Sequence, residues 1–302
     1  MTSRFKYLIL MHLIIFIWGF TGILGKLILL DAIQIVWYRV VIAFVALSIY
    51  FAFTKKSIKT KSTKSFLEIS LVGLFVAIHW LTFYHSIQLS TASLGILCLS
   101  TTTLHVAWME PLVMKRKISL LEIVLSLVVV LGIYITSSGF TESEYTALFY
   151  GLISALFAAL FSVFNTKIVE KESAGIITFY EMLSASVGIS VFLIIIGRFN
   201  FSLFEISYSD FYWLLFLGIV CTSFAFLATV IVLKQLGAFT VSLSINLEPI
   251  YTLFLAIFIL NENDLLSTHF YIGAVVIIIA VLSNGLIKGF VRRKKKCKLN
   301  AT

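Results

Sequence analysis

The chain has 302 residues, of which 60% are hydrophobic, 15% aromatic and only 12% charged, with a formal net charge of +9. A soluble domain carries about 25% charged residues, so the composition excludes one and predicts an all-α integral membrane protein. The positive charge does not signal nucleic acid, because the basic residues cluster at the ends of apolar runs and no soluble domain is left over to bind it.

Cys98 and Cys221 lie inside apolar runs and Cys297 lies in the basic tail, a distribution that implies no disulfide framework. The first apolar run, from Tyr7 to Leu30, is long and lacks a small-residue cleavage site, so it reads as a span and not as a cleavable signal peptide. Ten transmembrane spans are expected, at about 7–29, 33–53, 66–88, 91–114, 118–137, 146–168, 174–196, 210–233, 237–260 and 267–288. Lysine and arginine set the orientation. One set of alternate segments holds 20 of the 23 basic residues, from Arg4 and Lys6 through Lys55–Lys64, Lys115–Lys117, Lys167, Lys171 and Lys234 to Lys288 and the RRKKK tail. Arg198 is the one basic residue in the opposite loops, and Lys26 and Arg39 fall within spans. By the positive-inside rule both termini are cytoplasmic, as an even span count requires. The tail reads as a topology anchor, with anionic lipid as its other reading.

An internal repeat divides the chain. Ile35-Val36-Trp37-Tyr38-Arg39 matches Ile177-Thr178-Phe179-Tyr180-Glu181, and Thr91-Ala92 matches Gly237-Ala238, a register that then aligns Arg116 with Glu262. Residues 1–140 and 141–302 are thus two five-helix repeats. Five is odd, so the second half enters the membrane from the other side, which is an inverted-topology repeat. The only two prolines both follow glutamate, at Glu110-Pro111 and Glu248-Pro249, but aligning them would shift the span ends by eight residues, so the two pairs are not equivalent.

Span 9 is the stretch around which the rest is organised. Asn246, Glu248 and Pro249 sit near its middle, where a carboxylate is costly and normally faces protein or a water-filled cavity, and where proline frees a backbone carbonyl. Glu248 is the candidate for proton coupling; packing two helices together is its other reading. Arg39 could hold a substrate carboxylate with its fork of donors or snorkel to the interface, as Lys26 is expected to do. Glu110 reads as a gate latch or ion pair near the cytoplasmic end, and Glu181, at the repeat position that matches Arg39, as a second gate or ion-pair residue. His79 is either a cavity residue or a buried helix–helix hydrogen bond. Trp18, Trp80, Tyr84 and Tyr180 are candidate pocket walls, and Ser100 and Thr101, within the polar run 100–103, are candidate cavity hydroxyls. No histidine spacing suggests a metal site. Gly151, Ala155 and Ala159 form a stripe that allows close helix packing.

In order and spacing, IWGFTGILGK in span 1, WYR at 37–39 with FYE at 179–181, SIQLSTAS at 86–93 and NLEPIYTLFLAIFILNE at 246–262 resemble the EamA-like ten-helix members of the drug/metabolite transporter superfamily. The resemblance covers the whole chain. It implies two intertwined five-helix halves around a central cavity in the plasma (bacterial inner) membrane, as monomer or homodimer. It further implies movement of small metabolites or amino acids, usually outward, with no cofactor. Thr103 stands where the second half has Pro249, and Arg116 where it has Glu262, so the first half is not a faithful copy. The rival readings are an intramembrane lipid-modifying enzyme, for which no residue spacing points to a reaction, and a membrane scaffold, for which the buried polar residues would be wasted.

Overall fold

The computed structural model describes residues 3–115, 117–236, 244–245 and 247–299. The regular elements among the described residues are all helical, without a strand. In chain order the helices are α1 (Ser3–Leu27), α2 (Ala32–Thr54), α3 (Thr63–Leu89), α4 (Ala92–Leu99), α5 (Thr102–Met114), α6 (Leu120–Thr136), α7 (Glu142–Ile168) and α8 (Ala174–Ile195). They continue with α9 (Tyr208–Leu215), a π-helical segment at Phe216–Phe224, α10 (Ala225–Leu236), α11 (Glu248–Leu260) and α12 (Thr268–Leu299). Seven segments are long and apolar enough to cross a bilayer, with α4 and α5 together forming one of them; Leu120–Thr136, Glu248–Leu260 and Thr268–Ser283 are shorter apolar helices.

Local chemistry starts and stops these helices where expected. Asp31 caps α2 in a capping box with Gln34, and Thr141 caps α7 in one with Glu144, each pair satisfying two backbone donors that the first turn leaves open. Two spans differ from expectation. Span 4 is not one helix: it breaks at Ser100 and Thr101, whose hydroxyls bond back to Ile96 O and Cys98 O, competing with the regular ladder. In span 9, Pro249 does not interrupt a helix but lies in the first turn of α11, the position where its missing N–H costs nothing. Residues 237–243, which include the Gly237-Ala238 match, lie outside the described residues, as does Arg116.

The broken spans expose the repeat. α5 and α11 both have 13 residues, and they start and end at a constant offset of 146 (102 to 248, 114 to 260). Both stop at a left-handed residue, Lys115 with φ 51° and Asn261 with φ 53°. This is the register read from span ends, and it keeps the two Glu-Pro pairs apart.

The halves are interleaved. α3 packs along α7 and α8, α2 along α8 and the π segment, α1 along α10 and α11, and α6 along α12. Contact is closest where α6 meets α12: a Cβ on Gly273 would lie 2.1 Å from Thr136 Oγ1 and 2.5 Å from Gly132 O. Gly151 likewise meets Cys98, with Ala155 and Ala159 buried along the same helix, so the small-residue stripe of α7 lies in a helix contact. Gly273→Val should lower stability by about 1–3 kcal/mol, the usual cost of forcing bulk into closed packing. Thermal unfolding in detergent measures this, and an unchanged midpoint would show that α6 and α12 are not in contact.

Candidate functional site

Arg39 is the eighth residue of α2, Glu181 the eighth of α8. Because successive helices run in opposite directions, one lies about 10 Å from the end of the bundle where α1 finishes, and the other lies a similar depth from the end carrying the N-terminus. Their surroundings differ completely.

Arg39 is 3% exposed, so it does not snorkel. Its Nε donates to Thr222 Oγ1 at 3.0 Å and its Nη1 to Tyr84 Oη at 3.2 Å. The guanidinium carbon stands 3.7 Å from the centre of the Trp80 ring, a stack available to a planar cation and worth more when desolvated. Trp80 and Tyr84 are four residues apart on α3 and therefore share a face. Tyr84 passes the contact on, donating to Thr21 O on α1 at 3.4 Å. Thr222 is presented by the π segment, where its own Oγ1 bonds back five residues to Leu217 O; such widened turns often occur at functional sites. Glu248, half-buried in the first turn of α11, lies within the electrostatic reach of Arg39. Elements of both repeats, α3 of the first and the π segment and α11 of the second, thus converge on one cation.

Trp18 borders this group. Its ring packs edge-on against Phe226, one turn beyond Thr222, with centroids 5.8 Å apart. The next residue, Gly19, lies against Tyr251 and Thr252 of α11, one turn beyond Glu248. His79 is adjacent to Trp80 but is turned away. Its Nδ1 is 2.8 Å from Ser154 Oγ and 3.0 Å from Ser154 O, while Ser154 Oγ donates to His79 O, so it ties α3 to α7. Ser100 and Thr101 are buried at the break in span 4, and Thr102 donates to Ala155 O on α7.

Other predicted residues lie elsewhere. Tyr180 is not brought to this group: its ring sits against Phe66 and Phe179, with Ile69, Ile168 and Ile177 nearby. Glu181, 2% exposed, accepts from Asn165 Nδ2 of α7 at 2.7 Å. Glu110 lies in the last turns of α5, half-buried. Asn246 lies outside the described residues. Lys26 does not reach for water; it donates to Ser90 O and faces Glu262.

Thr222 and Ser154 were missed in the sequence. The pair Thr222-Ser223 within an otherwise apolar span was the available signal for the first; nothing local marks the second.

The family of EamA-like transporters has a model that matches this chain twice, over residues 5–138 and 145–285. The chain belongs to the EamA-like transporter family. Membership makes it a multi-pass membrane protein of a transporter family, with its two matched units meeting at Arg39. One solved structure, titled only "Crystal structure of protein", has the same fold at 13% identity, with a TM-score of 0.65 over 94% of this chain and 98% of that one. No curated protein matches.

A double-mutant cycle tests the charge arrangement. Arg39→Gln alone should cost about 3–5 kcal/mol, because it leaves neighbouring groups buried and unpaired. Combined with Glu248→Gln it should cost less than the sum of the two by at least about 0.5 kcal/mol, measured by thermal unfolding in detergent. Strict additivity would dissolve the pairing.

Proposed function

We propose that this member of the EamA-like family is a secondary transporter of small organic metabolites bearing a carboxylate, with amino acids as the first class to test. It works by alternating access, its two five-helix repeats rocking about the Arg39 group. The observation that carries this reading is a buried guanidinium, held by both repeats, with a carboxyl group of α11 in its electrostatic reach. A guanidinium has five N–H donors, more than Thr222 and Tyr84 use, so its fork can accept a substrate carboxylate. Trp80, Tyr84 and Trp18 supply aromatic walls for the rest of the solute.

In this reading the shorter helices α6, α11 and the apolar part of α12 complete ten spans. Both termini lie in the cytoplasm, the membrane is the plasma membrane, and solute leaves the cell. Glu248 carries the coupling proton: when charged it competes with substrate for Arg39, and when protonated it releases the cation. Transport is therefore an exchange of charge at one place, without a nucleotide.

Counterflow of a labelled amino-acid mixture in proteoliposomes tests the proposal. Native protein should exchange solute chemically unchanged, with a rate that varies with pH. Glu248→Gln should retain exchange but lose that pH dependence. A mutant indistinguishable from native would make Glu248 a packing residue, and chemical conversion of a solute would point to an enzyme.

A further inference from the structure

Glu262 lies just beyond α11, after the left-handed Asn261 that ends the helix and turns the chain back. It is 2% exposed, and both of its carboxylate oxygens are engaged: Oε1 accepts from Ala92 N at 2.7 Å and Oε2 from Ser93 N at 2.9 Å. These are the first two N–H groups of α4, in the other repeat. The helix does not need this carboxylate in order to start, because Thr91 already caps it by accepting from Leu94 N at 3.0 Å. Lys26 of α1 supplies a cation facing Glu262, while its ammonium holds Ser90 O. The contact therefore joins three elements of the two repeats, a carboxylate of the second supplying two buried helix-end donors of the first.

The same end of the bundle carries parallel ties. Asp210, 4% exposed at the start of α9, accepts from Leu29 N at 2.8 Å, and Arg198 pairs with Asp31. In both buried ties, a carboxylate of the second repeat grips backbone N–H groups of the first. At the opposite end, Lys61 N donates across the repeats to Glu172 Oε1 at 2.7 Å.

We infer that Glu262 is the latch of the outer gate, closed on the N-terminus of α4. The inference rests on the alternating-access reading above. Opening the mouth separates the repeats at this end, so the carboxylate must leave Ala92 and Ser93. Both sides of the contact then hydrate: helix-end N–H groups and a free carboxylate each find water readily. The contact is thus strong when dry and weak when wet, as a reversible latch must be. α11 links it to the site. Glu248 begins this helix and Glu262 follows its end, so a rod about 20 Å long at 1.5 Å per residue carries movement between them.

The test uses the full chain with Cys98→Ser and Cys297→Ser, which leaves Cys221, next to Thr222, as the sole thiol. A membrane-impermeant maleimide is added to right-side-out vesicles. Native protein should label slowly from outside, and Glu262→Ala about tenfold faster or more, the shift expected from losing two charge-assisted hydrogen bonds. Glu262→Gln, which keeps the volume and one acceptor, should fall between and carries the test if the alanine variant does not reach the membrane. Oxidising the pair Ala92→Cys and Glu262→Cys should abolish external labelling of Cys221, and reduction should restore it. Equal labelling of native and both Glu262 variants overturns the latch. Protection of Cys221 from both sides of the membrane in every variant overturns alternating access itself, an outcome read without knowing the substrate.

Discussion

A guanidinium taken away from water must be given back everything that water supplied, and the centre of this protein is arranged around that requirement at Arg39. Its charge is spread over the face of Trp80, and its N–H groups find Tyr84 and Thr222. Each of these partners needs its own support. Thr222 reaches Arg39 from a widened helical turn, and that turn can approach α2 because Gly218 has no side chain: a Cβ there would lie 2.7 Å from Ile42 Cβ and 3.3 Å from Arg39 O. The π segment, the glycine and the aromatic pair are therefore consequences of one buried charge. They are costly to build, and a protein that merely needed a packed core would be better served by apolar residues of similar volume.

The repeat explains how such a site arises from a simple architecture. The backbone of the two halves is nearly the same where it can be compared: α5 and α11 share length, register and left-handed termination, and Arg39 and Glu181 occupy the same position in α2 and α8. Side chains break the equivalence. Thr102 begins one half-helix and Glu248 the other; a cation on α2 corresponds to a carboxyl group on α8. One copy thus places a positive charge at the junction and the other a carboxyl group at α11, so a single scaffold used twice brings a cation and an acidic group within electrostatic reach of one another.

Much of this was legible in the sequence because it depends on period and count. Apolar run lengths, the one-sided distribution of lysine and arginine, and the offset between span ends are one-dimensional properties, and the offset of 146 survives in the helices themselves. The candidate site was legible only in part. Arg39, Trp80, Tyr84 and Glu248 stood out as polar or aromatic groups at membrane depth. Which way each pointed did not, since neighbouring residues on a helix differ by about 100°. Hence His79, adjacent to Trp80, is turned to Ser154, and Tyr180, adjacent to Glu181, lies against Phe66. The break at Ser100 and Thr101 and the π segment result from competition between hydroxyls, packing and the backbone ladder, a balance no local propensity decides.

The ties at the far end of the bundle differ in kind from one another, and the difference has a physical meaning. Arg198 and Asp31 form an exposed ion pair, a type of contact that contributes little in water. Glu262 is instead sealed among the ends of α1, α4 and α11, where its charge is opposed by backbone dipoles and by Lys26. A contact of that sort resists partial loosening, because withdrawing the carboxylate without hydrating it leaves a bare charge facing bare N–H groups. Admitting water removes the penalty at once. On the proposed latch, this end of the bundle is either shut and dry or open and wet, with little stability between, and α11 delivers that two-state character to the helix turn that carries Glu248.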